Sequence, residues 1–178
     1  MERIIIKDLA FRPYIGAAEI EARVAALGQD IGRAYAGKCP LFLVVLNGAF
    51  VFAADLVRAC AIESEITFVR LASYDGLASS GKVKTILGLP EGLDGRHIII
   101  VEDIIDSGRT LAGFIPQLQQ HLPASIAVAA LLVKPDALEH RVSIDYKGFD
   151  IPTKFVVGYG LDYDGLGRQL PDIYQLEE

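Results

Sequence analysis

Nine consecutive residues carry most of the reactive chemistry in this chain: Glu102-Asp103-Ile104-Ile105-Asp106-Ser107-Gly108-Arg109-Thr110. Three carboxylates stand within five residues, and a small, hydroxyl-bearing segment follows at once. Gly108 lets backbone approach a ligand closely, and successive N–H groups at the start of a helix attract an anion. Ser107 and Thr110 add hydroxyl donors. Carboxylates beside an anion cradle repel a phosphate unless their tasks are separated. A ribose phosphate separates them, because its hydroxyls donate to carboxylates at one end while its phosphate meets the amides at the other. A divalent cation does so too, and Mg²⁺ favours few carboxylates and many phosphate oxygens. A ribose with a 5-phosphate and a 1-pyrophosphate, together with Mg²⁺, uses every one of these features. A single such acid reads as a helix cap or a solvated turn. The whole arrangement does not, because of the element that precedes it.

That element is a buried strand. Residues 97–101 (HIIIV) form a short apolar run, followed by an acidic, glycine-bearing turn that begins at the acids. Two further runs, 41–46 and 125–133, have the same character, and 65–72 is a fourth strand. Residues 17–36 place Ile20, Val24, Leu27 and Ile31 on one helical stripe. Residues 49–60 read as a second helix and 110–121 as a third, which Pro116 should kink or end early. Residues 73–84, polar and glycine-bearing, read as a mobile loop, and 155–157 as a short strand. From Lys147 onward, Gly, Asp and Tyr predict loops and short strands. Buried strands alternating with helices give an α/β fold with a mostly parallel sheet, and such sheets bind ligands beyond the carboxyl ends of their strands. Residues following Leu46, Val101 and Val133 are therefore the ones to weigh.

Bulk properties narrow the options. The chain has 178 residues, 52% of them hydrophobic, which predicts one domain with a substantial core. A formal charge of -6 argues against nucleic acid as a partner. No run approaches a membrane span and the N-terminus lacks a signal-peptide pattern. Cys39 and Cys60 stand apart from any metal-ligand spacing, so they read as reduced, partly buried thiols of a cytoplasmic protein.

VEDIIDSGRT (Val101 to Thr110) resembles the signature of the type I phosphoribosyltransferases, and closely resembles the hypoxanthine-guanine version of it. The resemblance implies that Glu102 and Asp103 hold the ribose hydroxyls. Asp106 would lie by the base as general base, and Asp106, Ser107, Gly108, Arg109 and Thr110 would wrap the 5-phosphate. Ser107 stands where many relatives have threonine and keeps the hydroxyl. Asn47-Gly48, a turn by its own chemistry, follows the first buried strand. The resemblance gives its backbone to pyrophosphate and allows a non-proline cis peptide there. Some relatives carry lysine where Asn47 stands, so only the backbone role carries over.

RLASYDG, with Arg70, Ser73 and Tyr74, resembles the family's catalytic loop, which shields an oxocarbenium-like centre from water. Lys134 ends AVAALLVK and would donate to the purine O6 atom, which favours a 6-oxopurine over adenine. KFVVGYGLDYDGLGRQLPDIY (Lys154 to Tyr174) resembles the C-terminal hood. There Phe155 would stack on the purine, Val156 would offer backbone groups to its edge, Asp162 would sit near the base and a second Mg²⁺, and Arg168 would meet pyrophosphate. Glu102, Asp103 and Asp162 would serve Mg²⁺. The matched segments span about residues 41–176.

The implied fold is that of type I phosphoribosyltransferases, a single domain with a core over about 17–146. A small hood, over about 1–12 and 147–178, would be formed largely by the C-terminal segment. The implied activity is purine salvage: phosphoribosyl pyrophosphate and hypoxanthine, with guanine, give the nucleoside monophosphate and pyrophosphate. The family's habit adds a homodimer or homotetramer. A xanthine-preferring enzyme is the near alternative, while Lys134 and Phe155 argue against adenine or a pyrimidine. An RNA-binding regulator and a non-catalytic nucleotide-binding domain are the alternatives from other classes. The charge and an intact Asp106 argue against the regulator.

Overall fold

Continuous apolar runs, rather than alternating ones, dictate that the strands carrying the acids be buried on both faces. The computed structural model, which describes residues 2–72 and 84–177, bears this out. In chain order the elements are β1 (Ile4–Ile6), β2 (Leu9–Ile15), α1 (Ala17–Ala34), β3 (Leu41–Leu46), α2 (Phe50–Cys60), β4 (Glu65–Ala72) and β5 (Lys84–Leu87). There follow β6 (His97–Ile105), α3 (Arg109–Gln119), β7 (Ser125–Val133), β8 (Tyr146–Asp150), β9 (Val156–Val157) and β10 (Ile173–Leu176).

The larger sheet has the order β5-β4-β3-β6-β7-β8. Only the β4–β5 pairing is antiparallel. Phe42, Val44, Ile99 and Val101 face α1 and α2 in one core cluster. Leu41, Leu43, Ile98 and Ile100 face α3 in another. The stripe Ile20, Val24, Leu27 and Ile31 is the buried face of α1, as its spacing predicts. Because β3, β6 and β7 are adjacent and parallel, their carboxyl ends emerge side by side. Among the described residues no helix is long and apolar enough to cross a membrane.

The smaller sheet, β1-β2-β10-β9, is entirely antiparallel. Two of its strands come from the N-terminal segment, so the hood owes as much to residues 4–15 as to the C-terminal end. Residues 146–150, by contrast, extend the larger sheet by pairing parallel with β7.

Two further expectations are corrected. Strand β6 runs on to Ile105, so Glu102 and Asp103 lie on extended backbone rather than in a turn. Its pairing with β7 continues to Ile105↔Val133 and holds it straight. Helix α3 passes through Pro116 to Gln119. The stripe Leu111, Phe114 and Leu118 anchors it on both sides of the proline. Pro116 lies close to the helix end and removes one backbone donor there.

Candidate active site

Three segments meet at the carboxyl ends of β3, β6 and β7. After β3 the chain turns at residues 47–49, with a cis peptide between Leu46 and Asn47. Asn47 is exposed while Gly48 is buried. The reason lies on either side of Gly48. A β-carbon there would fall 1.5 Å from Asp103 Oδ2, and a β-carbon on Gly160 would fall 2.2 Å from the Gly48 carbonyl oxygen. The turn is thus clasped between the acid of β6 and the hood.

The two acids of β6 are poorly compensated. Glu102 is buried, its Oε2 has no hydrogen-bond partner, and burial with Asp103 nearby pushes its carboxyl well above the ordinary range. Asp103 Oδ1 accepts from the Ile104 amide at 2.8 Å. Burial nevertheless raises its pKa to about 6, against the opposing pull of backbone donors and Arg168 and with the help of Asp162. The influence of Arg168 and Asp162 on Asp103 shows that the hood residues stand within electrostatic reach of the strand-end acid.

Beyond Ile105 the chain forms the amide nest. Asp106 is exposed, and Gly108 takes a left-handed conformation (φ 75°) as the N-cap of α3. A β-carbon on Gly108 would stand 2.9 Å from the His140 carbonyl oxygen, so glycine is needed twice over. The Ser107 carbonyl accepts from the Glu139 and His140 amides at 3.1 Å each, tying the nest to the segment after β7. Ser107 Oγ lies 3.4 Å from the Arg109 amide. No side chain of the N-cap residue covers the start of α3, which leaves an N-terminus of anion-binding character. The Arg109 guanidinium pairs outward with Glu139 at 3.3 Å, so its contribution at the nest is its amide. Thr110 is half-buried in the first turn.

Lys134, at the end of β7, is buried, and its Nζ donates to Asp106 Oδ2 at 2.7 Å. Its amide donates to the Ile105 carbonyl at 2.9 Å, locking the two strand ends together. The structure therefore pairs the two residues that the sequence reading assigned to the base.

In the hood, Phe155 is 43% exposed, an unusual state for a large aromatic, and Val156 is buried in the edge strand β9. An edge strand keeps backbone groups on its outer side for a ligand. Phe11 and Tyr163 flank Phe155, with ring centroids 6.3 and 6.0 Å away. Neither was singled out from the sequence. Phe11 is signalled only by its two-residue alternation with Leu9, and Tyr163 only by its place beside Asp162. Arg168 is held by Asp162 Oδ1 at 2.7 Å and by the Gly160 carbonyl at 2.6 Å.

Two expectations concern other residues. Arg70 sits exposed at the end of β4, beside Leu46 in register, whereas Ser73 and Tyr74 lie outside the described residues. Among the described residues no three acids, histidines or cysteines gather around one point, in keeping with an expectation that gave Asp162 a second Mg²⁺ apart from Glu102 and Asp103. Asp162 is already spent on Arg168 and the Gly165 amide. Among the described residues Glu102 and Asp103 form no ion pair and remain as oxygen donors, Asp103 feeling Arg168 only at a distance.

Comparison with known proteins agrees with this geometry. Residues 16–164 match the phosphoribosyl transferase domain. The chain is 43% identical to the hypoxanthine-guanine phosphoribosyltransferase of Mycobacterium bovis, over 90% of this chain and 83% of that one. It is 41% identical to the hypoxanthine phosphoribosyltransferase of Escherichia coli, over 89% and 91%. The crystal structure of a hypoxanthine phosphoribosyltransferase from Staphylococcus aureus superposes with a TM-score of 0.89 at 32% identity, covering 93% of this chain and 91% of that one. With the buried acids, the glycine nest and the clasped turn all at one sheet edge, the chain belongs to the phosphoribosyl transferase family.

Proposed function

We propose that this enzyme transfers the 5-phosphoribosyl group of phosphoribosyl pyrophosphate to N9 of hypoxanthine, and of guanine, as a step of purine salvage. The observation that carries this reading is the packing of Gly48 between Asp103 and Gly160, which draws the turn, the strand-end acids and the hood onto one small volume. The names of the relatives at 41–43% identity support the base.

The Lys134–Asp106 pair supports a 6-oxopurine on chemical grounds. Such a base carries an acceptor, O6, next to a donor, N7–H. An ammonium beside a carboxylate is the complement of that edge. The 6-amino group of adenine would set a donor against Lys134. On entry, O6 accepts from Lys134, and Asp106 takes the N7 proton as the bond from N9 to the anomeric carbon forms. Phe155 covers one face of the base and Val156 offers edge-strand backbone. Ser107, Gly108, Arg109 and Thr110 hold the 5-phosphate through amides and hydroxyls. Asn47 and Gly48, with Arg168, take the pyrophosphate. Arg70 on β4, with Ser73 and Tyr74 after it, would serve to exclude water.

Glu102 and Asp103 fit Mg²⁺ as well as ribose hydroxyls, since both are oxygen donors that form no ion pair among the described residues. Mg²⁺ would neutralise the leaving pyrophosphate. The reading extends to a single domain working in the cytoplasm, where the free Cys39 and Cys60 are at home. It also extends to a homo-oligomer, for which the exposed Ile66 and Phe68 of β4 offer apolar surface.

The test is an assay with phosphoribosyl pyrophosphate, Mg²⁺ and each base in turn. Hypoxanthine and guanine should yield nucleoside monophosphate and pyrophosphate. Turnover of adenine or xanthine in preference to both would overturn the base assignment, and no turnover of any base, with RNA retained on a filter, would favour a regulator.

A further inference from the structure

We propose that the hydrogen bond between Tyr159 and Asp55 is a positioning device that sets Arg168 and the Asn47-Gly48 turn at the spacing pyrophosphate requires. This rests on the assignment of that turn and Arg168 to pyrophosphate. The Tyr159 hydroxyl donates to Asp55 Oδ2 at 2.5 Å, joining the hood to α2 across 104 residues of sequence. Arg58 engages the other oxygen of Asp55. Burial, reinforced by the Asp55 carboxylate, raises the Tyr159 pKa strongly, so the phenol stays a donor at any physiological pH.

Each end of this bond is coupled rigidly to one half of the proposed anion site. Asp55 lies on α2, which starts at Phe50 directly after the turn. The Ala53 amide donates to the Ala49 carbonyl at 2.8 Å, so the turn and Asp55 share one helical frame. At the other end, Tyr159 is followed by Gly160, whose backbone rests on the Gly48 carbonyl and whose own carbonyl accepts from Arg168. The Gly160 amide donates to the Arg168 carbonyl at 3.0 Å, and the Tyr159 amide donates to the Leu170 carbonyl at 2.8 Å. Arg168 is therefore carried by the strip that Tyr159 anchors.

Tyr159 is buried in the core cluster that also holds Ala49 and Phe52, yet that packing is incomplete on one side. A cavity of about 730 Å³ lies against the bond, lined among others by Phe50, Asp55, Tyr159, Arg168 and Leu170. With open space beside it, the strip has room to shift once the hydrogen bond is lost. A shift of about 1 Å is enough to weaken a positioned charge. Asp55 and Tyr159 touch no reacting atom in this scheme and act through Gly160 and Arg168.

The test uses the full chain with Tyr159→Phe, Asp55→Ala and their double variant. KM is measured for phosphoribosyl pyrophosphate and the purine in the forward direction and for pyrophosphate in the reverse direction, alongside the melting temperature. Either single change should raise KM for phosphoribosyl pyrophosphate and pyrophosphate about five- to twentyfold, in the range of one lost charge-assisted hydrogen bond. KM for the purine should move less than about twofold, the double variant should be no worse than the worse single one, and Asp55→Asn, which keeps an acceptor, should restore most of the loss. Unchanged KM values for phosphoribosyl pyrophosphate and pyrophosphate in Tyr159→Phe would overturn the proposal. So would an equal rise in all three KM values with a lowered melting temperature, the mark of a merely structural contact. Arg168→Gln serves as the reference. If it too leaves both KM values unchanged, the pyrophosphate assignment itself is wrong. If it raises them while Tyr159→Phe does not, only the positioning role is lost.

Discussion

Gly48 rests on the Asp103 carboxylate so closely that a β-carbon would stand 1.5 Å from Oδ2. A side chain at position 48 would thus collide with the very acid proposed to hold the ribose. Gly48→Ala must displace Asp103 or the turn. The expected outcome is at least a tenfold rise in KM for phosphoribosyl pyrophosphate, with a stability loss of about 1–3 kcal/mol from overpacking. Steady-state kinetics and a thermal melt measure both, and a variant with wild-type KM would show that the contact has no bearing on the sugar site.

Asp106 stands 2.7 Å from Lys134, so each residue holds the other ready for the base. Asp106→Asn removes the proton acceptor and keeps the shape. Its kcat should fall by roughly 10²–10⁴-fold, while affinity for phosphoribosyl pyrophosphate stays nearly intact. Equal turnover in variant and wild type would refute the general-base role. Lys134→Met should act differently, raising KM for hypoxanthine and narrowing discrimination against adenine.

Phe155 keeps 43% of its surface exposed although Phe11 and Tyr163 back it. A ring supported from behind and bare in front is a stacking platform. Phe155→Ala should raise KM for the purine roughly 5- to 150-fold, the equivalent of about 1–3 kcal/mol of lost stacking, and leave KM for phosphoribosyl pyrophosphate within twofold. Phe155→Tyr, which keeps the π-face, should be close to wild type. A Phe155→Ala enzyme with unaltered purine KM would remove the residue from the site.

The strand-end acids also set a pH dependence. Burial raises Asp103 to about 6, and Glu102 is raised as well. Folding therefore favours their protonated forms. The stability contributed by Asp103 is present in full below its unfolded value, near 4, and is lost as pH rises through about 6. The loss approaches about 3 kcal/mol for a shift of some two units. Ligand-free protein should melt lower at pH 7.5 than at pH 5 for this reason, and Asp103→Asn should raise the melting temperature at pH 7.5 but not at pH 4. Phosphoribosyl pyrophosphate with Mg²⁺ should stabilise more at pH 7.5 than at pH 5. A variant that melts like wild type at both pH values would show that Asp103 is not penalised.

Strand ends and anion nest were legible because their causes are local. Leu41–Leu46 and Ser125–Val133 are uninterrupted apolar runs, and Gly108 stands between hydroxyl residues at a helix start. What escaped was set by partners far away in the chain. Glu102 and Asp103 looked like a turn because acids are poor strand formers, yet β7 keeps them extended to Ile105. Residues 1–12 read as part of the hood, but their strand pairing with β10 through residue 15 was not legible, because it depends on a segment at the far end of the chain. The Asp55–Tyr159 bond joins two residues that each look ordinary in sequence.

The most direct trial of the whole scheme is a crystal structure of the protein with inosine monophosphate and Mg²⁺. The expected result has the ribose hydroxyls at Glu102 and Asp103, the 5-phosphate on the amides of Ser107 to Thr110, and the base between Phe155 and the Lys134–Asp106 pair. A nucleotide bound elsewhere, with Glu102 and Asp103 untouched, would contradict it.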